Sequence, residues 1–169
     1  NKTVIALTSI TQEPLPKNSV SLILAHLRPQ HLDFAIEKTV ELGVDAIWLY
    51  PADRSEKKNI SPNQMERLTS IIISSLKQCG RLFRPELVCK TSLHACLDDA
   101  KNMPIFYGDI DATKSSHCSS CAVCIGPESG FSPAEKELLS TKAEAIRLHQ
   151  NILRAETAAI AAVAHFTTF

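Results

Sequence analysis

Short apolar runs alternate with longer amphipathic segments along most of the chain. The apolar runs are typical of buried β-strands, and we assign strands to residues 20–25, 46–50, 86–89, 104–108, 121–125 and 145–148. Helical spacing or helix-start signals assign helices to residues 29–42, 62–79, 92–100 and 152–166 and to a segment after Ser132. This alternation predicts one α/β domain with a mostly parallel sheet and helices on both faces.

The longest predicted helix carries its apolar residues on one face. Ser61 is a good N-cap, and Gly80 is a natural end. The residues at helical spacing between them are Met65, Leu68, Ile72, Leu76 and Cys79. We therefore expect this stripe to face the core.

A glycine loop follows the strand at 121–125. Gly126, Pro127 and Gly130 turn the chain sharply, and Ser132 with Glu135 forms a capping-box pattern for the next helix. Glycines leave backbone N–H groups uncovered and allow a flat ligand to approach closely. The loop is therefore a candidate nucleotide-like binding site. The alternative is an ordinary Gly-Pro turn between a strand and a helix.

A second polar loop, residues 149–151, precedes a helix rich in alanine. Arg154 and Glu156 fall in the predicted first turn of that helix, where they are candidates for a catalytic role. The alternative is a solvated first turn in which Glu156 is favourably placed near the positive helix end. Gly108, Gly126 and Leu148 lie at the ends of three predicted strands. Because ligands of parallel sheets bind at the carboxyl ends of strands, we expect these three positions to form one pocket.

The composition of the chain limits the classes of protein to which it can belong. The chain has 169 residues, 44% of them hydrophobic, and no apolar run approaches the roughly 20 residues that span a bilayer. We expect one globular domain, no membrane contact and a cytoplasmic location. Eighteen basic and eighteen acidic residues balance, whereas a free-standing RNA-binding domain usually has a basic excess.

The chain has six cysteines, which we interpret as thiols. Cys118, Cys121 and Cys124 have the spacing C-x2-C-x2-C, which superficially resembles a metal site. Cys121 and Cys124 lie three residues apart on a predicted strand, so they should point to opposite faces. We therefore expect small buried apolar residues and no metal.

The two loops carry a family resemblance. The sequence IGPESGFSPAE followed by LHQNILRAETAA is similar to the paired C-terminal motifs of the ribosomal small-subunit methyltransferase E family, in the SPOUT superfamily. The segments FAIEKTVELGVDAIWLYPADRSEKK and SLKQCGRLFRPEL resemble two further blocks of that family. The likeness covers nearly the whole chain from about residue 20 onward.

The resemblance implies methyl transfer from S-adenosylmethionine to N3 of a uridine in 16S ribosomal RNA. It also implies a C-terminal trefoil knot and a homodimer. Family members carry an N-terminal PUA-like RNA-binding domain, so residues 1–19 are expected to be a linker or a remnant of it, and residues 20–169 the SPOUT domain. For the dimer we expect one small-residue helix face, formed by Ala158, Ala161, Ala162 and His165; the alternative is that this face packs inside its own domain.

The resemblance, with the loops, also suggests roles for individual residues. Arg154 and Glu156 are the catalytic candidates, with Glu128 as an alternative proton acceptor, and Arg54, Arg81 and Arg84 are candidates for RNA contact. The expected cofactor-binding residues are Gly108, Ile125, Gly126, Pro127, Glu128, Ser129, Gly130, Leu148, Asn151, Ile152 and Leu153. No metal is expected, because the sulfonium methyl is already activated.

The chain departs from the family motifs at three positions. Ser129 and His149 stand where glycine is usual, and Asn151 stands where arginine is usual. A change of cofactor affinity or RNA contact is therefore expected, and Ser129 would be strained if its φ were positive. Two rival classes are a dinucleotide enzyme, which lacks its G-x-G-x-x-G motif here, and a non-catalytic RNA-binding module. A SPOUT methyltransferase acting on another RNA is a third alternative.

Overall fold

The computed structural model describes Ser9, residues 19–114 and residues 116–167. The described chain alternates strands and helices throughout. The strands are β1 Ser19–Ala25, β2 Ala46–Tyr50, β3 Glu86–Cys89, β4 Ile105–Gly108, β5 Ser120–Ile125 and β6 Glu144–Ile146. The helices are α1 Pro29–Glu41, α2 Pro62–Cys79, α3 Leu93–Asp99, α4 Pro133–Lys142 and α5 Ala155–Thr167.

The six strands form one sheet in the order β3-β2-β1-β5-β4-β6. Every pair of neighbouring strands is parallel, including β1 with β5 and β4 with β6. The predicted mostly parallel sheet is therefore confirmed, and it is parallel in all its pairs. In such a sheet all carboxyl ends lie at one edge, which we call the carboxyl edge.

Apolar residues cover both faces of the sheet, as predicted. One core packs β-strand residues such as Leu22 and Val123 against α1, α2 and α5, and the other packs Ile23 and Tyr50 against α3 and α4. Cys121 belongs to the first core and Cys124 to the second. The two thiols therefore point to opposite faces, as the three-residue spacing predicts.

Helix starts match the capping signals in the sequence. The side chains of Ser61, Ser92 and Ser132 each accept a hydrogen bond from a backbone N–H in the first turn of α2, α3 and α4. Gly80 ends α2 with φ of 75°, in the left-handed region where glycine is favoured. Leu68 and Ile72 of α2 are buried as predicted.

Three details differ from the prediction. Cys79, at the end of the α2 stripe, is exposed, whereas Leu76 one turn earlier packs against the first core. Strand β6 ends at Ile146 rather than Leu148, since the next backbone N–H, of Arg147, donates to the Lys114 carbonyl outside the sheet. Helix α5 begins at Ala155, so Arg154 precedes the helix instead of lying in its first turn.

The inner face of α5 differs from the face predicted for dimer contact. Its buried residues include Ala159, Ala162, Val163 and Phe166, which pack on the first core. Ala162 belongs to the predicted dimer face but is fully buried within its own domain. His165, another member of that face, bonds the Ser116 carbonyl at 2.7 Å through Nε2. The alternative of packing within the domain therefore holds for this half of the predicted face.

The prediction for residues 1–19 falls almost wholly outside the described residues. Strand β1 begins at Ser19, one residue inside that segment. The domain boundary and the trefoil knot stay predictions. No helix within the described residues is both long and apolar enough to cross a membrane.

Burial should protect three thiols from alkylation. Burial raises the pKa of Cys96 and of Cys121 to about 12, and raises that of Cys124 well above its ordinary value. At pH 8 a thiol of that pKa is about one part in ten thousand thiolate, the reactive form. We expect iodoacetamide to label exposed Cys79 first and to leave these three unlabelled in the native protein.

Peptide mass spectrometry of the labelled chain checks this order. All six thiols should react at similar rates in 6 M guanidinium chloride, which serves as the control. Rapid native labelling of Cys124 would contradict the packing of β5 described above.

Candidate active site

The glycine loop is a tight turn at the carboxyl end of β5. The Gly130 N–H donates to the Pro127 carbonyl at 2.8 Å, and Gly130 has φ of 73°. A Cβ on Gly126 would lie 3.3 Å from three ring atoms of Phe131, so this glycine allows the aromatic ring to pack against the backbone. Ser129 has no positive φ, because none of the described non-glycine residues has one, and its departure from the family motif is therefore unstrained.

A buried polar network fixes the loop from behind. Glu135 accepts hydrogen bonds from the backbone N–H groups of Ser132, at 2.8 Å, and Asp53, at 3.1 Å. The Ser132 hydroxyl accepts from the Glu135 N–H and donates to Asp53 Oδ2. The predicted capping box is confirmed, and it also ties the loop after β2 to the glycine loop.

The three predicted strand ends meet. A Cβ on Gly108 would lie 3.2 Å from Cδ1 of both Ile125 and Leu148, so the ends of β4 and β5 and the segment after β6 are in close contact. They open into a pocket with a cavity volume of about 230 Å³, partly open to solvent, which we call the glycine-loop pocket. This volume lies just below the roughly 300–1,000 Å³ that is usual for small-molecule sites.

All the expected cofactor-binding residues except Ser129 line this pocket. The Ser129 hydroxyl turns away and donates to the Arg54 carbonyl at 2.9 Å. His149, which the sequence marks as a departure from the family motif within the second loop, lines the pocket as well. Sequence reasoning missed five lining residues, which are Asp109, Ile110, Phe131, Ala155 and Ala158. All of these except Ala158 lie within two positions of an expected cofactor-binding residue, so extending each loop by two positions would have found four of them.

The lining of the glycine-loop pocket is apolar with two carboxylates. Asp109 and Glu128 are the acidic members, and among the described residues that line the pocket there is no lysine or arginine. A dinucleotide pyrophosphate is normally met by cations or by a glycine-rich helix start. This lining suits a flat ligand that is neutral or positively charged.

A second pocket adjoins the first. Glu128, Ile152, Leu153 and Ala155 line both, and the second pocket is completed by Arg28, His31, Arg154 and Glu156. We call it the arginine pocket. Both catalytic candidates, Arg154 and Glu156, therefore lie beside the predicted cofactor site rather than in it. Sequence reasoning missed Arg28 and His31, because they come from the N-cap and the first turn of α1, more than 90 residues away in the chain.

Glu128 stands between the two pockets. Its Oε1 accepts hydrogen bonds from the Arg28 backbone N–H and from His31 Nδ1, each at 3.0 Å. Burial by itself would raise the pKa of this carboxyl. The bonds from the Arg28 and Glu128 backbone N–H groups and from His31 outweigh it, and the pKa is lowered. Glu128 is therefore an ionised hydrogen-bond acceptor at neutral pH.

Glu156 is buried at the start of α5, where a carboxylate is favoured by the positive helix end. Its side chain is 9% exposed, and Oε2 has no hydrogen-bond partner among the residues that the structure describes. The nearest cationic candidate is His31, whose Nδ1 lies 3.7 Å away. Arg154, at the rim, is exposed.

The three arginines expected to contact RNA have different surroundings. Arg54 is exposed and donates to the Ser129 carbonyl at 3.3 Å, which places it beside the glycine loop. Arg81 donates to the carbonyls of Val40 and Val44 at 2.9 Å, so its guanidinium is used within the fold. Arg84 is exposed but precedes β3, at the sheet edge opposite the pockets, a strand length of about 13 Å away or more.

The described residues do not group into a metal site. Within residues 19–114 and 116–167, no three His, Cys, Asp or Glu side chains are grouped so as to hold a metal ion. Cys118 donates to the Ser120 carbonyl and packs against the core that contains Cys121.

Fold and site together define an α/β protein with a small-molecule pocket at the carboxyl edge of a parallel sheet. A family model for the RNA methyltransferase domain matches residues 13–167. The chain therefore belongs to the RNA methyltransferase domain family. Ribosomal RNA small subunit methyltransferase E of Mesomycoplasma hyopneumoniae is 33% identical over 86% of this chain and 67% of that protein. The enzyme of the same name from Rickettsia conorii is 28% identical over 97% of this chain and 70% of that protein.

Solved structures have the same fold, which is that of SPOUT-type methyltransferases. A Legionella pneumophila protein described as a methyltransferase, in complex with bound SAM, superposes with a TM-score of 0.78 at 28% identity over 87% of this chain. Ribosomal RNA small subunit methyltransferase E of Neisseria gonorrhoeae, bound to S-adenosyl methionine, gives 0.72 at 26% identity over 88% of this chain. This chain spans 64% and 65% of the length of those two chains.

Proposed function

We propose that this chain transfers a methyl group from S-adenosylmethionine to N3 of a uridine in the RNA of the small ribosomal subunit. The observation that carries the proposal is the pair of adjoining pockets. One is the glycine-loop pocket, whose described lining has two carboxylates and no lysine or arginine, and the other holds Arg154 and Glu156. The names of the relatives support the substrate class, and the family resemblance supports the uridine N3. A SPOUT methyltransferase acting on another RNA and a non-catalytic RNA-binding module are the alternatives.

The glycine-loop pocket fits S-adenosylmethionine better than NAD. The apolar side chains of Ile125, Leu148 and Leu153 suit a purine ring, and backbone groups of the glycine loop suit its polar edge. Asp109 and Glu128 suit the positive charges of the sulfonium and amino groups. When bound, this ligand supplies an activated methyl group. The two solved relatives with the same ligand support the assignment.

The chemistry of the acceptor requires a cation and a base. Neutral uridine N3 is a poor nucleophile because its lone pair is delocalised and it carries a proton. As the proton leaves, negative charge spreads onto the neighbouring carbonyl oxygens, and a guanidinium stabilises such charge. Arg154 lines the arginine pocket and is exposed, so it is available to a base or a phosphate. Glu156 and Glu128 are the carboxylates placed to orient it or to take part in proton transfer.

RNA contact is proposed at the carboxyl edge through Arg54, next to the glycine loop. Arg84, on the opposite edge, would contact only a longer RNA, and Arg81 is left out because its guanidinium bonds carbonyls of its own chain. A ribosomal RNA substrate supports a cytoplasmic location.

Binding of S-adenosylmethionine is the first test. Calorimetry of the chain should give saturable binding of S-adenosylmethionine and none of NAD. Ile152 lines the pocket yet is 85% exposed, so Ile152→Ala should weaken binding by about five-fold, or about 1 kcal/mol of lost apolar contact, without lowering the unfolding temperature.

Leu82→Ala is the matched control, because Leu82 is a large apolar residue that is 71% exposed and lies outside both pockets. Its affinity should equal that of the parent. Binding of NAD instead of S-adenosylmethionine would support the hypothesis of a dinucleotide enzyme. Binding of neither ligand would support a non-catalytic RNA-binding module.

Arg154→Ala should separate binding from chemistry. Arg154 lines only the arginine pocket, so cofactor affinity should stay within about two-fold, while transfer of labelled methyl to unmodified small subunits should fall by about 10²–10³. Lys101→Ala, which removes an exposed cation after α3 on the other face of the sheet, is the control and should transfer at the parental rate. If Arg154→Ala transfers methyl groups at the parental rate, Arg154 takes no part in the reaction.

A homodimer through α5 is also proposed, on the family resemblance. The outward stripe of α5 contains Thr157, Ile160 and Ala161, which are exposed or half-buried in the single chain. This stripe replaces the face that includes fully buried Ala162. Light scattering should give twice the mass of the 18.5 kDa chain.

Ala161→Glu should shift that mass to the monomer, because a carboxylate would be buried between two helices. Thr141→Glu, at an exposed position of α4, introduces the same charge elsewhere and should leave the dimer intact. A monomeric parent at micromolar concentration would refute the dimer.

A further inference from the structure

The arginine pocket contains a histidine that neither the motifs nor the family likeness singled out. His31 lies in the first turn of α1, its side chain is 30% exposed, and it lines the pocket together with Arg154 and Glu156. Since four residues line both pockets, a group in the arginine pocket lies next to a ligand in the glycine-loop pocket. His31 therefore borders the place where an acceptor base would meet a methyl donor.

The protonation of the His31 ring is set by Glu128. An ionised carboxylate can only accept hydrogen bonds, and Glu128 Oε1 lies 3.0 Å from His31 Nδ1. In the neutral imidazole the proton must then be on Nδ1, which leaves the Nε2 lone pair free. Nε2 makes no hydrogen bond to any residue in 19–114 or 116–167. A carboxylate that fixes a histidine in this tautomer is a general way to prepare the other ring nitrogen as a base.

Glu156 supplies a second carboxylate next to the same ring. Its buried Oε2 has no hydrogen-bond partner among the described residues and is 3.7 Å from Nδ1. An unpartnered buried carboxylate is costly, and its electrostatic complement here is the positive charge that His31 gains with a second proton. The other charged groups around the ring are Arg28, whose guanidinium is paired with Glu56, and Arg154 at the rim.

We infer that His31 is the base that accepts the N3 proton of the target uridine. This rests on the proposed function. His31 Nε2 takes the proton, and the electron pair left on N3 forms a bond to the methyl carbon. The bond from that carbon to sulfur breaks, its electron pair stays on sulfur, and the sulfur becomes a neutral thioether. His31 ends as an imidazolium between Glu128 and Glu156 and returns the proton to water.

The two carboxylates are less suited to this role themselves. Glu128 Oε1 is already occupied by two donors, and Glu156 faces Nδ1, on the side of the ring that Glu128 bonds. An imidazole is in general also a stronger base than a carboxylate, by about two pKa units. Its basicity is therefore better suited to removing a proton from a weakly acidic N–H near neutral pH.

The tautomer is tested first, without any reaction. Nitrogen-15 NMR of the histidine rings in the unliganded full chain should show the Nδ1–H form for His31 at a pH where the ring is neutral. The Nε2–H form would overturn the inference whatever the activity, since the proposed base would then carry a proton.

Methyl transfer is tested in His31→Gln, with His31→Asn as a second variant in case one of them folds poorly. Parental transfer should rise with pH and level off once the base is unprotonated. Both variants should lose about 10²–10³ in rate at pH 7, and their rate should keep rising with pH, because hydroxide becomes the base. Cofactor affinity by calorimetry should stay within about two-fold.

His94→Gln is the matched control. His94 also pairs with a carboxylate, Asp98 at 2.9 Å, but it is an exposed residue of α3, on the other face of the sheet. It should keep the parental rate and pH profile. A parental rate or profile in both His31 variants would overturn the inference, as would a rate loss that merely follows lost cofactor binding. A parent that binds the cofactor but methylates no ribosomal RNA would instead defeat the proposed function, and the role of His31 with it.

Discussion

The close contact among β5, β4 and the segment after β6 is the constraint on which the rest of the site depends. Gly108 has no side chain, and a Cβ at this position would meet the ends of Ile125 and Leu148 at 3.2 Å, closer than ordinary van der Waals contact. Because every strand is parallel, the loops that follow these strands all leave from one edge. Two loops separated by some 20 residues of sequence therefore become opposite walls of one pocket.

Rigidity of the glycine loop comes from outside the loop. Glu135, nine-tenths buried, bonds both the start of α4 and the backbone after β2. A buried carboxylate that is fully hydrogen-bonded holds its surroundings in one arrangement, whereas a partly satisfied one is costly. Glu135 is of the first kind and Glu156 of the second. This contrast separates a carboxylate used for structure from one left available in a pocket.

Charge is distributed in a way that the overall balance conceals. The chain is formally neutral, yet among the described lining residues the glycine-loop pocket has two carboxylates and no lysine or arginine, whereas the arginine pocket has two arginines and two carboxylates. The exposed guanidinium of Arg154 therefore lies beside a pocket whose charge is acidic. Net charge alone, which argued against strong RNA binding, averages over these two surfaces.

The sequence by itself determined the element order, the parallel sheet, the capped helices and nearly all of the first pocket. These features are local, since apolar periodicity, Ser and Gly signals and strand ends are written within short windows. The opposed directions of Cys121 and Cys124 followed from the period of a strand alone. Tertiary structure decided the rest. It brought Arg28 and His31, at the start of α1, to Glu128, tied Arg81 to backbone carbonyls, and buried Ala162 against the domain's own core. Contacts between residues tens of positions apart leave no periodic signal in the sequence, because they depend on which helix packs on which face of the sheet.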